Sequence, residues 1–270
     1  MPELPEVETV TQSVKKHLLG NNFDSIQVNW KKTLHNFKIS DFNNKIKGRN
    51  IENVYRKGKY IVIVFKSVFL CVHLRMTGKL YAANSIEKDK KHISLFLTIG
   101  DKYLVFEDVR KFGRFYMFDN LDFLDNKLGI EPLSEGFSEN WILNQIKERK
   151  RQMKSLLLDQ SFICGIGNIY ADEALWYAKI HPLSNSSSIS KKKILNLRKG
   201  IIKVLKESIK RGGTTIRDYT YDFSYVGNYA LKLNVFGKEG KKCPRCFSVI
   251  IKTKVAQRGT HYCPRCQIKR

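Results

Sequence analysis

The stretch CPRCFSVIIKTKVAQRGTHYCPRC, residues 243–266, holds two Cys-x-x-Cys pairs, Cys243 with Cys246 and Cys263 with Cys266, separated by 16 residues. Four thiolates at that spacing suit a closed tetrahedral zinc site, each pair forming a knuckle and the residues between them a short hairpin. A closed four-ligand shell leaves no position for substrate, so one structural Zn2+ per chain is expected. Residues 243–270 carry seven Lys or Arg and no acid, with Arg258 midway along the hairpin, so the finger reads as a device for contacting phosphates. Cys71 and Cys164 sit singly in apolar segments and read as buried thiols.

The basic bias continues through the chain. Against 25 Asp and Glu stand 49 Lys and Arg, a formal net charge of +24 over 270 residues. Self-repulsion of that size is relieved by a polyanion, and nucleic acid is the leading partner. The plainer alternative is a solvated lysine-rich surface, since Lys outnumbers Arg 35 to 14. A hydrophobic fraction of 42% and an aromatic fraction of 11% exclude a disordered chain. The longest apolar run, residues 60–72, is broken by Lys66 and falls short of the roughly 20 residues of a membrane span. The opening MPELPEVETV has acids where a secretory signal needs a basic start, so an intracellular, soluble protein is expected. At roughly 150 residues per domain, the length suggests two domains.

Hydrophobic period supplies the organisation. Val7, Val10, Val14 and Leu18 form a helical stripe that Gly20 can end. From Phe23 to Phe118 short β-branched and aromatic runs, separated by glycine turns, predict an antiparallel sandwich or barrel. The segment GIEPLSEGFS, residues 129–138, reads as a linker, and Ser138 as the N-cap of a helix running toward Asp159. Helices follow at 168–179 and 191–210, the latter stopped by Gly212 and Gly213, and residues 214–234 read as a long loop. The expected class is therefore α+β in two domains: an N-terminal helix plus antiparallel β-sandwich, then a helical domain with the four-cysteine finger. Boundaries are placed at 1–130, 131–236 and 237–270.

The N-terminus carries a second chemical signal. Removing Met1 would free the secondary amine of Pro2. An α-amine titrates near roughly 7.7–8.0, well below lysine at about 10.4, so part of it is nucleophilic at neutral pH. Attack on the anomeric carbon of a nucleoside would expel the base and leave an iminium. Glu3 beside it, or Glu6 one helical turn on, could shuttle the proton. The alternative is an ordinary acidic helix start.

MPELPEVETV at the start, RKGKY at 56–60, HLRMTGKL at 73–80, FEDVRKFGR at 106–114, LGIEPL at 128–133, LLLDQSFICGIGNIYADEAL at 156–175, GGTTIRDY at 212–219 and RGTHYCPRCQ at 258–267 together resemble the bacterial formamidopyrimidine-DNA glycosylases. The resemblance spans the whole chain in order. It implies a bifunctional glycosylase and abasic-site lyase that removes oxidised purines from damaged double-stranded DNA, working as a cytoplasmic, nucleoid-associated monomer without membrane contact. It implies Pro2 as nucleophile, Glu3 as general acid-base, and Lys59 and Arg258 on the phosphates beside the lesion. Asn168 and Tyr170 match the family's GNIY at a helix entry, and Lys150 and Lys154 the cations of its helix-two-turns-helix unit. Met76, Arg110 and Phe112 match side chains pushed into the duplex when the damaged nucleotide leaves, although periodicity alone would bury Met76 and Phe112. His73, His92 and Glu6 complete the expected DNA-contacting set, and residues 217–229 would close over the extruded base. Where the family often has DPRRFG, this chain has Asp108-Val109-Arg110-Lys111-Phe112-Gly113, which questions the stiffness of the loop holding Arg110. Two other readings stay open: an endonuclease VIII-like enzyme for oxidised pyrimidines, and a non-catalytic zinc-finger DNA-binding protein.

Overall fold

The computed structural model describes residues 1–86, 90–214 and 229–269. They form two compact units, residues 1–125 with 212–214, and residues 126–211 with 229–269.

The first unit opens with α1 (Leu4–Leu18), whose Val7, Val10, Val14 and Leu18 are all buried, as the stripe predicts. Gly20 follows at φ +77, the left-handed geometry that ends a helix without a Cβ clash. After β1 (Ser25–Val28) and α2 (Ile39–Lys45) come β2 (Asn53–Lys57), β3 (Tyr60–Phe65), β4 (Val68–His73), β5 (Gly78–Ala83), β6 (Ile93–Ile99), β7 (Lys102–Asp108) and β8 (Arg114–Phe118), then α3 (Asp122–Lys127). Among the described residues these strands make two four-stranded antiparallel sheets, ordered β1-β6-β7-β5 and β2-β3-β4-β8. Leu80, Leu95 and Leu104 from one sheet share a single core with Val54, Ile61 and Leu70 from the other and with the stripe of α1. Phe106 and Phe115 meet edge to face across the sheets at 5.1 Å. A helix-backed antiparallel sandwich is the expected arrangement.

In the second unit Ser138 caps α4 (Glu139–Lys147), its Oγ accepting the Trp141 N–H at 3.1 Å. The predicted single helix toward Asp159 is corrected here: α4 ends at Lys147 and the chain resumes as α5 (Met153–Leu158). The intervening backbone bonds elsewhere. Arg151 donates its N–H to Ser186 Oγ at 3.1 Å and accepts the Ser186 N–H at 2.8 Å, while Met153 donates to the Ser184 carbonyl at 2.9 Å. Next come α6 (Asn168–Tyr177) and α7 (Lys191–Lys210), the latter stopped by Gly212 and Gly213 at φ +73 and +85. The hairpin of β9 (Ile251–Val255) and β10 (Arg258–Tyr262) turns at Ala256 and Gln257, both at positive φ, as a right-twisted two-residue turn requires. The expected boundary at 130 falls a few residues beyond the division after Asp125, and the finger belongs to the same compact unit as the helices. Of the long loop, residues 215–228 lie outside the described residues, and with them all of the expected closing segment except Tyr229. Tyr229 is buried, in a short 3-10 turn (Tyr229–Lys232) whose tyrosine ring lies 6.1 Å from that of Tyr170.

Candidate active site

At the start of α1 the backbone of Glu3 is extended, and Pro2 and Glu3 are both buried while Met1 is exposed. Glu6 has a different task from the one expected. Its Oε2 accepts the Glu3 N–H at 2.9 Å and its Oε1 the Thr214 N–H at 2.7 Å, so a buried carboxylate caps the helix and pins residue 214 to it. The Glu6 carboxylate, read from the sequence as a proton shuttle or DNA contact, thus has both oxygens engaged by backbone N–H groups. Gly213 permits the approach: a Cβ there would stand 3.0 Å from Glu6 Oε1. The β2–β3 turn is held against the same helix. Arg56 donates its Nε to Glu8 Oε2 at 2.9 Å and its Nη1 to the Gly58 carbonyl at 3.1 Å, which fixes the turn presenting Lys59. Lys59 is itself buried. Arg56, the first residue of RKGKY, brings two of the motifs together.

The β4–β5 and β7–β8 loops carry the expected duplex-entering side chains. Met76 is half-buried, whereas Arg110 and Phe112 are exposed, and the Arg110 guanidinium lies 4.8 Å from the centre of the Phe112 ring. Phe112 is 47% exposed, an apolar ring left in water that the fold does not use. His92 is exposed at positive φ. His73 is buried, its Nδ1 accepting the Arg75 N–H at 3.0 Å and its ring packed edge-on to Tyr60. These contacts fix the orientation of the His73 ring within the fold. The loop holding Arg110 needs no proline: the buried Asp108 carboxylate accepts the Arg110 and Gly113 N–H groups at 3.2 and 2.7 Å.

In the second unit the sulfurs of Cys243, Cys246, Cys263 and Cys266 lie within 4.8 Å of one another. Cys246 and Cys263 are 3.3 Å apart and Cys243 and Cys266 4.0 Å, close to the roughly 3.8 Å set by tetrahedral Zn–S bonds of about 2.3 Å. Bonds to Ser248 pull the Cys246 thiol down to about 6, while burial and neighbouring sulfurs push Cys266 up to about 12. Four thiolates this close repel one another, and a bound dication removes that repulsion, so the donor set fits zinc.

Three family models cover most of the chain: the formamidopyrimidine-DNA glycosylase N-terminal domain over residues 1–115, its H2TH domain over 128–220, and the zinc finger found in FPG and IleRS over 240–268. The formamidopyrimidine-DNA glycosylase of Protochlamydia amoebophila is 43% identical over 100% of both chains, and that of Enterococcus faecalis 38% over 99% of this chain and 97% of its own. The chain belongs to the formamidopyrimidine-DNA glycosylase family. A Lactococcus lactis FPG variant bound to Fapy-dG-containing DNA superposes with a TM-score of 0.93, at 37% identity over 99% of this chain and all of that one. The Lactococcus lactis enzyme with abasic-site DNA gives 0.92, at the same identity and coverage.

Within this member of the formamidopyrimidine-DNA glycosylase family, two more residues read as DNA contacts face inward. Lys154 is completely buried, its Nζ donating to Asp172 Oδ1 at 2.7 Å, Thr260 Oγ1 at 2.7 Å and the Gly259 carbonyl at 3.3 Å. A charge so enclosed is compensated inside the fold and has no path to a phosphate. Tyr170 is buried too, its hydroxyl paired with Ser208 at 2.5 Å. Asn168, at the start of α6, donates Nδ2 to the same Gly259 carbonyl at 3.0 Å, and Asp172 Oδ2 accepts the His261 N–H at 2.8 Å. These side chains therefore grip the finger strand just after Arg258, which is exposed, as is Lys150. Glu173, whose carboxyl burial holds above the usual range, accepts the N–H groups of Asn234, Val235 and Phe236. Gln267 links the Cys263 N–H to the Ile180 carbonyl. The motifs contained Asp172, Glu173 and Gln267, but nothing in their local pattern distinguished gripping the finger from gripping DNA.

Trp176 touches the zinc shell from α6, donating its indole N–H to Cys243 Sγ at 3.4 Å. Trp176→Phe keeps a ring there and deletes the donor. Losing a bond of about 1 kcal/mol should speed zinc transfer to a chelator roughly fivefold, measured with a colorimetric zinc indicator. An unchanged release rate would show that the bond does not support the thiolate.

Proposed function

We propose that this protein is a bifunctional DNA glycosylase and abasic-site lyase that removes oxidised purines, 8-oxoguanine and formamidopyrimidines, from duplex DNA. The observation that carries the reading is the buried Pro2-Glu3 pair at the head of α1, with the Lys59 turn locked to that helix through Arg56 and Glu8. Freed of Met1, the Pro2 nitrogen bonds to C1′ as the C1′–base bond breaks and the protonated base departs. The C1′–O4′ bond then opens with Glu3 supplying the proton to O4′, and the nitrogen lone pair completes the C1′ iminium. The iminium acidifies the C2′ proton, and successive β- and δ-elimination break the strand while Lys59 and Arg258 hold the flanking phosphates. The damaged nucleotide must leave the stack first, and Met76, Arg110 and Phe112 occupy the gap. Support comes from relatives solved in complex with DNA containing Fapy-dG or an abasic site. The chain's charge of +24 suits work on the nucleoid, where we place it as a cytoplasmic monomer, and no helix among the described residues is long and apolar enough to cross a membrane.

Cleavage of matched duplexes carrying 8-oxoguanine or thymine glycol tests the substrate class. Faster excision of 8-oxoguanine is expected, and the reverse preference would assign the chain to oxidised pyrimidines. Phe112→Ala should lower excision roughly tenfold while leaving affinity for undamaged duplex within about twofold, because phosphate contacts carry the latter. Filter binding and single-turnover excision measure the two separately, and equal losses would remove the wedge role.

A further inference from the structure

The β4–β5 and β7–β8 loops are joined by one buried carboxylate. Asp108, the last residue of β7, is 1% exposed. Its Oδ1 accepts the Thr77 hydroxyl at 2.5 Å and the Arg110 N–H at 3.2 Å, and its Oδ2 accepts the Gly113 N–H at 2.7 Å. Its carbonyl accepts the Lys111 N–H at 3.2 Å, and its own N–H donates to the His92 carbonyl at 2.9 Å. The Arg110 N–H also reaches Thr77 Oγ1 at 3.2 Å, so the hydroxyl bridges the Met76 loop to the Arg110 loop. The approach is possible only because both loops place a glycine against one ring: a Cβ on Gly78 would lie 2.8 Å from Phe106 Cζ, and one on Gly113 only 2.2 Å from it.

We propose that Asp108, acting through Thr77, is a positioning residue that locks Met76 and the Arg110–Phe112 segment into a single insertion platform, preset before DNA is met. The proposal rests on the glycosylase reading and deepens it. These carboxylate bonds run to loop atoms, leaving the sandwich core intact when they are cut. Two loops that moved independently would have to be ordered together during insertion, at a cost in conformational entropy that the bridge removes in advance. Asparagine cannot replace the aspartate, because its NH2 must face either the Arg110 or the Gly113 N–H donor.

The experiment compares two substrates that differ in their need for insertion. One is duplex DNA bearing 8-oxoguanine, where the extruded nucleotide leaves a gap to fill. The other is a single-stranded oligonucleotide with a preformed abasic site, which has no gap. Thr77→Val removes the bridging hydroxyl without changing side-chain size, and Thr77→Ser retains it. Thr77→Val should lower duplex excision roughly tenfold and leave single-strand cleavage within about twofold, with Thr77→Ser near the unmodified protein. Combining Thr77→Val with Asp108→Asn should cost little more than Asp108→Asn alone, since both cut one link. Equal losses on both substrates, or undiminished excision by Thr77→Val, would overturn the proposal. Failure of the unmodified protein to excise 8-oxoguanine from the duplex would instead defeat the glycosylase reading, so the two are separable.

Discussion

Protein carrying a residue or tag ahead of Pro2 is expected to give no borohydride-trapped adduct with a damaged duplex, while protein processed to Pro2 gives one whose cross-linked peptide is N-terminal. The cause is electronic. With Met1 attached, the Pro2 nitrogen is an amide, its lone pair shared with the carbonyl, and it cannot add to C1′. Processing restores a secondary amine, which can form an iminium that borohydride reduces to a stable link. The blocked protein should still bind DNA, because the +24 charge and the finger are unchanged. Glu3→Gln in the processed protein should slow trapping by about 10²–10⁴-fold, the usual range for a positioned acid-base. Lys59 is the competing amine, and its turn is tied to α1 through the Arg56–Glu8 pair. An adduct mapped to Lys59, undiminished in the blocked protein, would falsify the Pro2 assignment.

Cys246→Ser is expected to release zinc and weaken binding to damaged and undamaged duplex by a similar factor, of at least about tenfold. Structural zinc contributes on the order of 10–16 kcal/mol in small fingers, as much as a whole domain's net stability. The 243–270 segment has little apolar core of its own. Its buried apolar cluster is Trp176, Val235, Ile250 and the cysteines themselves. Without the metal the hairpin that presents Arg258 loses its base, and the loss falls on phosphate contacts that do not distinguish lesions. Metal content by atomic absorption and affinity by anisotropy measure both halves. Zinc-free protein with full affinity and reactive thiols would show that the finger folds without its ligands.

Elements governed by local chemistry were legible in the sequence. The stripe of α1, the two knuckles and the long α7 all follow from spacing along a single segment. Partners distant in the chain decided the rest. Nothing in Lys147-Glu148-Arg149-Lys150-Arg151 stops a helix; the stop comes from Ser184 and Ser186, which take its backbone bonds. Lys154 reads as a surface cation because its counter-ion, Asp172, and its hydrogen-bond acceptor, Thr260, lie 18 and 106 residues away. The Glu6 bond to Thr214, 208 residues distant, is equally hidden from a local reading. The missing proline near Arg110 looked like a loss of stiffness, yet the aspartate already present in the motif supplies the restraint through hydrogen bonds.

The grip of α5 and α6 on the hairpin bears on how this protein can be rebuilt. Zinc-stapled hairpins are often regarded as portable, cut from one chain and grafted to another. Here the graft would carry its metal and leave its seat behind. Lys154 and Asp172 neutralise each other at 2.7 Å, but the remaining bonds of the ammonium go to Thr260 and Gly259 and the second carboxylate oxygen takes the His261 amide, all three from the hairpin. Excising the hairpin would therefore leave the Lys154–Asp172 pair on the donor side without the hydrogen bonds that complete it. A transplanted hairpin would inherit an Arg258 with nothing to aim it. The recombination boundary that respects this chemistry lies upstream of α5, so that the helices and the finger travel as one piece.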